Sequence, residues 1–281
     1  MNSTHQQEAA AQLQALHKQK KLFVLPNIWD AGGAKIVEAK GFKAIATTSA
    51  GIAFANGYSD GEALPFSLLI ETVKRISSKI STPLSVDFER GYGEEEGEIY
   101  ENTKQVLAAG AVGLNIEDGL PNNKLSEAQS MKKKLQVMND LKNELGIDFL
   151  INSRTDIYWN QIGSEKERLR KTIERANSYF SWGADCVFIP GNIPFNELEI
   201  VTKEVAGPIN VLLNEQLKNI DALNKIGVKR VSLGSSLSRN SITNLFNQSE
   251  QIKKNHFDLL LKDTLSYDYV NQFYGAQEEE K

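Results

Sequence analysis

Residues 84–93 read LSVDFERGYG, a short apolar run that passes into a glycine-containing loop. This pattern predicts a buried β-strand that ends at the loop. Side chains two positions apart leave a strand on the same face, so Asp87 and Glu89 are predicted to converge. Two carboxylates at a mostly buried strand end repel each other unless a cation or a shared proton lies between them. The pair of carboxylates therefore has two interpretations. It binds a divalent metal such as Mg²⁺, which prefers carboxylate oxygens, or it belongs to an ordinary solvated loop.

Similar apolar runs recur along the chain and alternate with stretches of helical periodicity. Eight runs are present, at residues 22–25, 44–47, 84–86, 112–116, 149–152, 186–189, 209–213 and 228–233. Glycine precedes several of them, as in AKGFKAI and SWGADCV, where it suits a helix C-terminus. Eight such units predict a single-domain α/β fold, a (β/α)₈ barrel of TIM type. A doubly wound open sheet is the alternative, but the stretch PNIWDAGGA lacks the glycine order of a dinucleotide-binding loop.

The sequence pattern predicts three segments. Residues 1–20 form an amphipathic leading helix, and residues 21–240 form the catalytic barrel. Residues 241–281 carry C-terminal helices and end in the acidic tail GAQEEEK, which we expect to be disordered.

Composition narrows the class of protein. The 281 residues carry a formal net charge of only −4, and Lys and Arg are scattered, so we expect no nucleic-acid partner. A lone cysteine, Cys186, excludes an internal disulfide and a cysteine-based zinc site. No signal peptide or membrane-spanning run is evident. We therefore expect a soluble, cytoplasmic protein without a membrane partner.

Barrel enzymes carry their chemistry at the carboxyl ends of the strands. Those ends offer Ser49, Asp60, Asp87, Glu89, Asn115, Glu117, Asp118, Asn152, Arg154, Asp156, Asn210 and Asn214. Up to six carboxylates around one arginine suit a bound cation and an anionic substrate. The structural alternatives are an ion pair of Arg154 with Asp156 or Glu117, and a turn role for Asp60. The three histidines lie in predicted helices, which argues against a histidine base or a histidine-ligated metal.

These motifs, in this order, resemble the isocitrate lyase and phosphoenolpyruvate mutase superfamily. The resemblance rests on PNIWDAGGAKIVEAKGFKAIATTSAGIA, GYSDGE, VDFERGYG, NIEDG and NSRTD, and it runs from about residue 22 to residue 240. It implies a (β/α)₈ barrel that depends on Mg²⁺, with Mn²⁺ as the alternative ion, and that makes or breaks C–C or P–C bonds beside a 2-oxo acid. It also implies a homodimer or homotetramer in which the C-terminal barrel helix is swapped between subunits.

The resemblance further implies roles for individual residues. Asp87, Glu89 and Glu117 correspond to the metal site, and Asp60 to a loop acid near it. The carboxylate of the substrate would lie against Ser49, Ala50 and Gly51, with Trp29 and Asn210 completing the binding site. Arg154 corresponds to the arginine at the reacting end of the substrate. Lys124, in the loop after the fourth strand, is a further catalytic candidate.

Departures from the superfamily pattern limit the functional prediction. The segment EDGLPNNKLSEAQS has no Cys or His, so it lacks the Lys-(Lys/Arg)-Cys-Gly-His loop of isocitrate and methylisocitrate lyases. Gly119 also replaces the Lys that follows the Glu-Asp pair in phosphoenolpyruvate mutases and phosphonopyruvate hydrolases. The leading hypothesis is a Mg²⁺-dependent C–C lyase, decarboxylase or hydrolase acting on a small 2-oxo or 2-hydroxy di-acid. A P–C bond enzyme and a catalytically silent 2-oxo acid binder are the alternatives, and residues 119–134 are predicted to form a mobile lid.

Overall fold

Nine strands form one parallel sheet in the computed structural model, which describes residues 3–275. They are β1 (Phe23–Leu25), β2 (Asn27–Ile28), β3 (Ile45–Thr47), β4 (Leu84–Asp87), β5 (Gly113–Glu117), β8 (Leu150–Arg154), β9 (Cys186–Ile189), β10 (Ile209–Leu212) and β11 (Arg230–Ser232). Two further strands, β6 (Gly119–Leu120) and β7 (Lys124–Leu125), form a small antiparallel hairpin. All eight predicted strands are therefore present.

Pro26 separates β1 from β2 and explains why the sheet has nine strands rather than eight. Proline has no N–H to donate, so the strand is interrupted there. On one side β1 pairs with β11, and on the other side β2 pairs with β3, both in parallel. The two short strands thus act as halves of one strand that closes the sheet. The predicted (β/α)₈ barrel is confirmed.

Helices follow the strands in the order that the periodicity predicts. They are α2 (Ala31–Ala39), α3 (Ser49–Ala55), α4 (Phe66–Ser77), α5 (Glu96–Ala108), α6 (Ala128–Leu145), α7 (Glu165–Ser181), α8 (Phe195–Glu204) and α9 (Ile220–Lys225). Gly41, Gly110, Gly183 and Gly227, which precede strands, have φ between 82° and 105° and turn the chain after a helix as predicted. Within the described barrel, β2, α3 and the β6–β7 hairpin have no counterpart in the prediction.

The leading helix, α1 (Ser3–Lys18), lies against the amino-terminal ends of the strands. A Cβ atom on Gly113, the first residue of β5, would lie 2.7 Å from Leu13. Gln6 donates from its side chain to the carbonyl oxygens of Leu107 and Ala111, which precede the same strand. Leu13 is fully buried. The helix therefore covers the end of the barrel opposite to the predicted active site.

Within the described residues, the chain divides into two compact units, with the division between Ser235 and Ser236. The second unit contains α10 (Ser236–Lys253), α11 (Asp258–Leu261) and α12 (Tyr267–Gly275). The end of the acidic tail, residues 276–281, lies outside the described residues. Across the described chain, helices long and apolar enough to span a membrane are absent.

Candidate active site

Two adjoining cavities lie at the carboxyl ends of the strands. The inner cavity, about 700 Å³ including its mouth, reaches from Ser49, Asp87 and Arg154 down to Arg230. The outer cavity, about 770 Å³ including its mouth, is lined by acids and by the hairpin, among them Asp60, Glu89, Glu117, Asp156, Gly119 and Leu120. Ser49, Asp60, Arg154 and Trp159 line both cavities. The strand ends thus converge on one continuous site.

Asp87 is the last residue of β4, and its carboxylate is held in place from two sides. Ser49 donates to Oδ2 from its backbone N–H at 3.1 Å and from its hydroxyl at 2.9 Å. Asn115 donates to Oδ1 at 2.9 Å, and Asn152 donates to Asn115 at 2.9 Å. A chain of side chains across β4, β5 and β8 therefore fixes the direction of the Asp87 carboxylate at the wall of the inner cavity.

Glu89 lies beyond the end of β4 and has a left-handed backbone, with φ of 50°. It is buried, and its carboxylate accepts from the Glu62 N–H at 2.6 Å and from the Tyr92 hydroxyl at 2.8 Å. Burial, together with the charge of Asp87, raises the pKa of Glu89 to about 7. The two carboxylates are close enough for their charges to interact, but strand alternation was the wrong reason for expecting this.

Arg154, the last residue of β8, lies between two buried carboxylates. Its Nη1 is 2.9 Å from Glu117, and its Nε and Nη2 donate to the two oxygens of Asp156 at 2.6 and 3.1 Å. The rings of Trp159 and Phe188 lie 5.6 and 5.9 Å from the guanidinium carbon. Burial lowers the pKa of Arg154, but the charges of Glu117 and Asp156 outweigh it and raise the pKa. Both ion pairs that were the structural alternative exist, and Arg154 still lines both cavities.

Asp118 belongs to a separate polar network. It is fully buried, and its Oδ2 accepts from the Tyr179 hydroxyl at 2.6 Å and from Arg175 at 2.9 Å. Its Oδ1 accepts from the backbone N–H of Asp156 at 2.8 Å. Asp118 lines neither cavity, so it joins the ends of β5 and β8 to α7 rather than contacting a ligand.

The acids at this site suit a cation by their charge and chemistry. Burial raises the pKa of Glu117 well above its usual range, and the charges of Asp156 and Asp87 raise it further, against the effect of Arg154. Carboxylate oxygens are the donors that Mg²⁺ prefers. Within residues 3–275, however, no three His, Cys or carboxylate side chains lie close enough together to hold one ion. Glu117 pairs with Arg154, and Glu89 accepts from Tyr92 in its own loop and from Glu62 in the preceding loop. The ligand set Asp87, Glu89 and Glu117 therefore stays a prediction.

The remaining predicted residues fall into two groups. Ala50 lines the inner cavity and Asp60 lines both cavities, whereas Trp29, Gly51 and Asn210 line neither, and Lys124 is exposed on β7 outside both. The N–H of Gly51 donates to the Thr48 hydroxyl at 3.3 Å, which caps α3. The roles assigned to these residues stay predictions.

Several residues that line the inner cavity were not predicted from the sequence. Asn27, Ser85 and Arg230 lie along its walls and inner end, and Trp159 covers part of its mouth. Arg230 could have been recognised from the sequence, because a charged residue in the apolar run 228–233 is unusual for a buried parallel strand. The other three gave no comparable signal in a single sequence.

Comparisons with known proteins place this chain in one family. The model of the family described as phosphoenolpyruvate phosphomutase matches residues 13–253. The chain belongs to this family. A family relative, an uncharacterised protein of Mycobacterium tuberculosis, is 34% identical over 221 residues, which cover 78% of this chain and 80% of that protein.

This member of the phosphoenolpyruvate phosphomutase family is also similar to a named lyase and to a solved structure. The 2-methylisocitrate lyase of Escherichia coli is 29% identical over 183 residues, or 62% of this chain and 59% of that enzyme. A solved structure from Burkholderia cenocepacia, assigned by inference to the lyases or mutases, superposes with a TM-score of 0.89 and 28% identity, covering 97% of both chains.

The family assignment confirms the resemblance seen in the motifs. The family member is an enzyme of the isocitrate lyase and phosphoenolpyruvate mutase superfamily, and its named relatives are lyases. Among the solved structures that share the fold is a phosphonopyruvate hydrolase in complex with oxalate and Mg²⁺, with a TM-score of 0.83 and 19% identity.

Proposed function

We propose that this chain is a Mg²⁺-dependent enzyme that cleaves a C–C bond in a small 2-oxo or 2-hydroxy dicarboxylic acid, as a lyase, decarboxylase or hydrolase. A pyruvate-type enolate would be the shared intermediate. The observation that carries the proposal is a cavity in which the cation Arg154 faces Asp87 and a surplus of further carboxylates. Such a site can bind an anionic substrate and stabilise charge that develops beside it.

The residues at the strand ends have different roles in this proposal. Mg²⁺ held by Asp87, with Glu89 and Glu117 beside it, would supply electrostatic stabilisation of the enolate oxygen. Ser49 fixes the Asp87 carboxylate through two hydrogen bonds. Arg154 would bind the substrate at its reacting end, in an orientation set by its two hydrogen bonds to Asp156.

Groups around the mouth of the cavity would exclude water and transfer protons. The Trp159 and Phe188 rings flank the guanidinium of Arg154 and would cover the bound substrate. Asp60, which lines both cavities, would exchange a proton with a substrate there. Lys124 would reach the site only if the β6–β7 hairpin moves.

A second candidate is P–C bond chemistry on phosphonopyruvate or a related compound. The description of the matching family favours it. Gly119, in place of the superfamily lysine, argues against it, since a flexible cation at that position is missing.

We also propose that the chain assembles as a homodimer or homotetramer through its C-terminal helices. Leu245, Phe246, Leu261 and Leu265 are each more than half exposed in the described chain. Apolar side chains concentrated in one segment are typical of a contact with a partner. Exchange of this segment between subunits would cover them.

Product detection by NMR tests the proposed reaction. The panel contains oxaloacetate, 2-methylisocitrate, alkylated malates and phosphonopyruvate, each with Mg²⁺ and with chelator. We expect chelator-sensitive cleavage of one of the C–C substrates. Phosphate or phosphoenolpyruvate formed from phosphonopyruvate would favour the second candidate. Binding of oxalate without turnover of any compound would favour a silent binder and contradict the proposal.

A further inference from the structure

Arg230 is a buried cation at the inner end of the inner cavity. It begins β11, and only 2% of its surface is exposed. It lines the same cavity as Asp87 and Arg154, which lie toward the mouth. The cavity therefore has one arginine at its mouth and another at its inner end.

Arg230 differs from Arg154 in having no carboxylate partner. Its Nε donates to the Ser232 hydroxyl at 3.1 Å, and Ser232 donates to Asn210 at 3.1 Å. Its Nη1 is buried and has no hydrogen-bond partner among the described residues, and no acid there forms an ion pair with it. One edge of the guanidinium is thus fixed while Nη1 stays available to a ligand.

Nearby charges do not neutralise this cation. Asp87 acts on it electrostatically, but the oxygens of Asp87 are engaged by Ser49 and Asn115. Burial raises the pKa of Cys186 to about 12, so its thiol is neutral near pH 7. Burial lowers the pKa of Arg230 only to about 10, so it stays charged. An unpaired buried charge is costly to a fold, which indicates that an anion completes the site.

Two further buried polar atoms, one in the same cavity and one beside Ser232, also lack partners within the described residues. The Ser85 hydroxyl lines the same cavity, is buried, and makes no hydrogen bond within residues 3–275. The Nδ2 of Asn210, whose Oδ1 is held by Ser232, likewise has no partner in the described structure. Of these donors, Arg230 and the Ser85 hydroxyl line the cavity, and both suit the acceptor oxygens of a carboxylate.

We propose that Arg230 forms a subsite for the second carboxylate of a dicarboxylic substrate, whose reacting end lies near Arg154 and Asp87. This inference rests on the proposed function and specifies the part of the substrate remote from the reaction. The enzyme would then discriminate di-acids from mono-acids, because a mono-acid leaves Arg230 unpaired.

Calorimetric binding to the full chain with Mg²⁺ tests the subsite. The probes are two matched pairs in which a methyl group replaces the remote carboxylate: oxaloacetate with 2-oxobutyrate, and 2-oxoglutarate with 2-oxopentanoate. Oxalate, which has no carboxylate remote from the reacting end, reports on that end alone. We expect the wild type to bind one di-acid about 10- to 100-fold more tightly than its methyl partner. Arg230→Gln should abolish that preference and leave oxalate affinity nearly unchanged.

Two variants separate a binding role from a structural one. Arg170→Gln, at an exposed position on α7, is the control and should keep the preference. Because Arg230 has no partner acid, Arg230→Gln should not lower the melting temperature without ligand. If Arg230→Gln does unfold the protein, Arg230→Lys is used instead. This variant keeps the charge and should keep part of the preference for the di-acid.

The outcomes distinguish this inference from the proposed function. Equal affinity of the wild type for di-acid and methyl partner at both lengths would overturn the subsite, as would a preference that survives Arg230→Gln. Oxalate that fails to bind the wild type with Mg²⁺ would count against the proposed function, whereas an Arg230-dependent di-acid preference would still support the subsite.

Discussion

Two buried aspartates at neighbouring strand ends, Asp118 and Asp156, pair with different arginines. Asp156 holds Arg154 in the cavity, while Asp118 holds Arg175 of α7 away from it. Both positions are conspicuous in the sequence as acids after a buried strand. Asp156 lines the outer cavity and Asp118 lines neither cavity, so we expect only Asp156 to influence a bound ligand.

Substitution Asp156→Asn should weaken binding at the reacting end. The amide keeps the shape of the side chain but loses the charge and presents N–H groups to Arg154, whose orientation would then change. We expect affinity for oxalate with Mg²⁺ to fall about 10-fold or more, measured by calorimetry. Asp148→Asn, an exposed ion-pair partner of Lys142, is the control. Wild-type affinity in Asp156→Asn would contradict the role assigned to Asp156.

The sequence could predict residues whose position depends only on where a strand ends. Asp87 and Arg154 terminate β4 and β8, and Ser49 follows β3, so all three line the inner cavity. Residues such as Trp29 and Lys124 depend on the path of a loop, which one sequence does not determine. Arg230 was missed because it begins β11, whereas the prediction considered only the carboxyl ends of the strands.

At the scale of elements, regular helices and strands were predictable because hydrophobic periodicity reports burial directly. The helix α3, seven residues long, was not, since its small residues give no clear periodicity. The β6–β7 hairpin depends on Asn122 and Asn123, which both have positive φ, and such turns can be recognised only once the strands are known.

The leading helix should make stability depend on pH through His17. This residue is buried, its Nδ1 contacts the Leu13 carbonyl oxygen at 2.9 Å, and its ring lies edge-on to Phe23. Burial and the charge of Arg230 lower its pKa to about 3, below the usual value of about 6.5. The unfolded chain therefore binds a proton that the folded chain rejects, so stability falls as pH decreases from about 6.5 toward 3.

Urea unfolding of wild type and His17→Gln at pH 7 and pH 5 measures this effect. Between these pH values the wild type should lose about 2 kcal/mol more unfolding free energy than the variant. His5→Gln, at an exposed position of the same helix, should behave as wild type. The same pH dependence in wild type and His17→Gln would exclude the effect.

The hairpin and the start of α6 should act as a lid, as predicted for residues 119–134. Gly119 to Pro121 line the outer cavity, while residues 121–124 are exposed. We expect trypsin to cut the barrel first after Lys124, and Mg²⁺ with oxalate to slow this cut several-fold, followed by mass spectrometry. Lys124→Gln controls for the assignment of the site. A cleavage rate that ligand leaves unchanged would argue against closure.

At the scale of the whole molecule, the barrel follows from eight repeated units, whereas assembly depends on surfaces that periodicity does not reveal. Wild type should sediment as a dimer or tetramer. Leu245→Glu with Phe246→Glu should give a smaller species, because each glutamate would place a charge in an apolar contact. Asn244→Glu with Asn247→Glu adds the same charge at neighbouring exposed positions and should not. A wild type that is monomeric at all concentrations would contradict swapping.

The most direct test of the account is calorimetric titration of oxalate into wild type and Asp87→Asn, with Mg²⁺ and with chelator. Asparagine keeps an oxygen for Ser49 but removes the charge that the cation requires. We expect binding only to the wild type and only with Mg²⁺, and we expect Asp221→Asn, at an exposed position on α9, to behave as wild type. Oxalate binding that persists in chelator, or in Asp87→Asn with Mg²⁺, would contradict a metal-assisted site at Asp87.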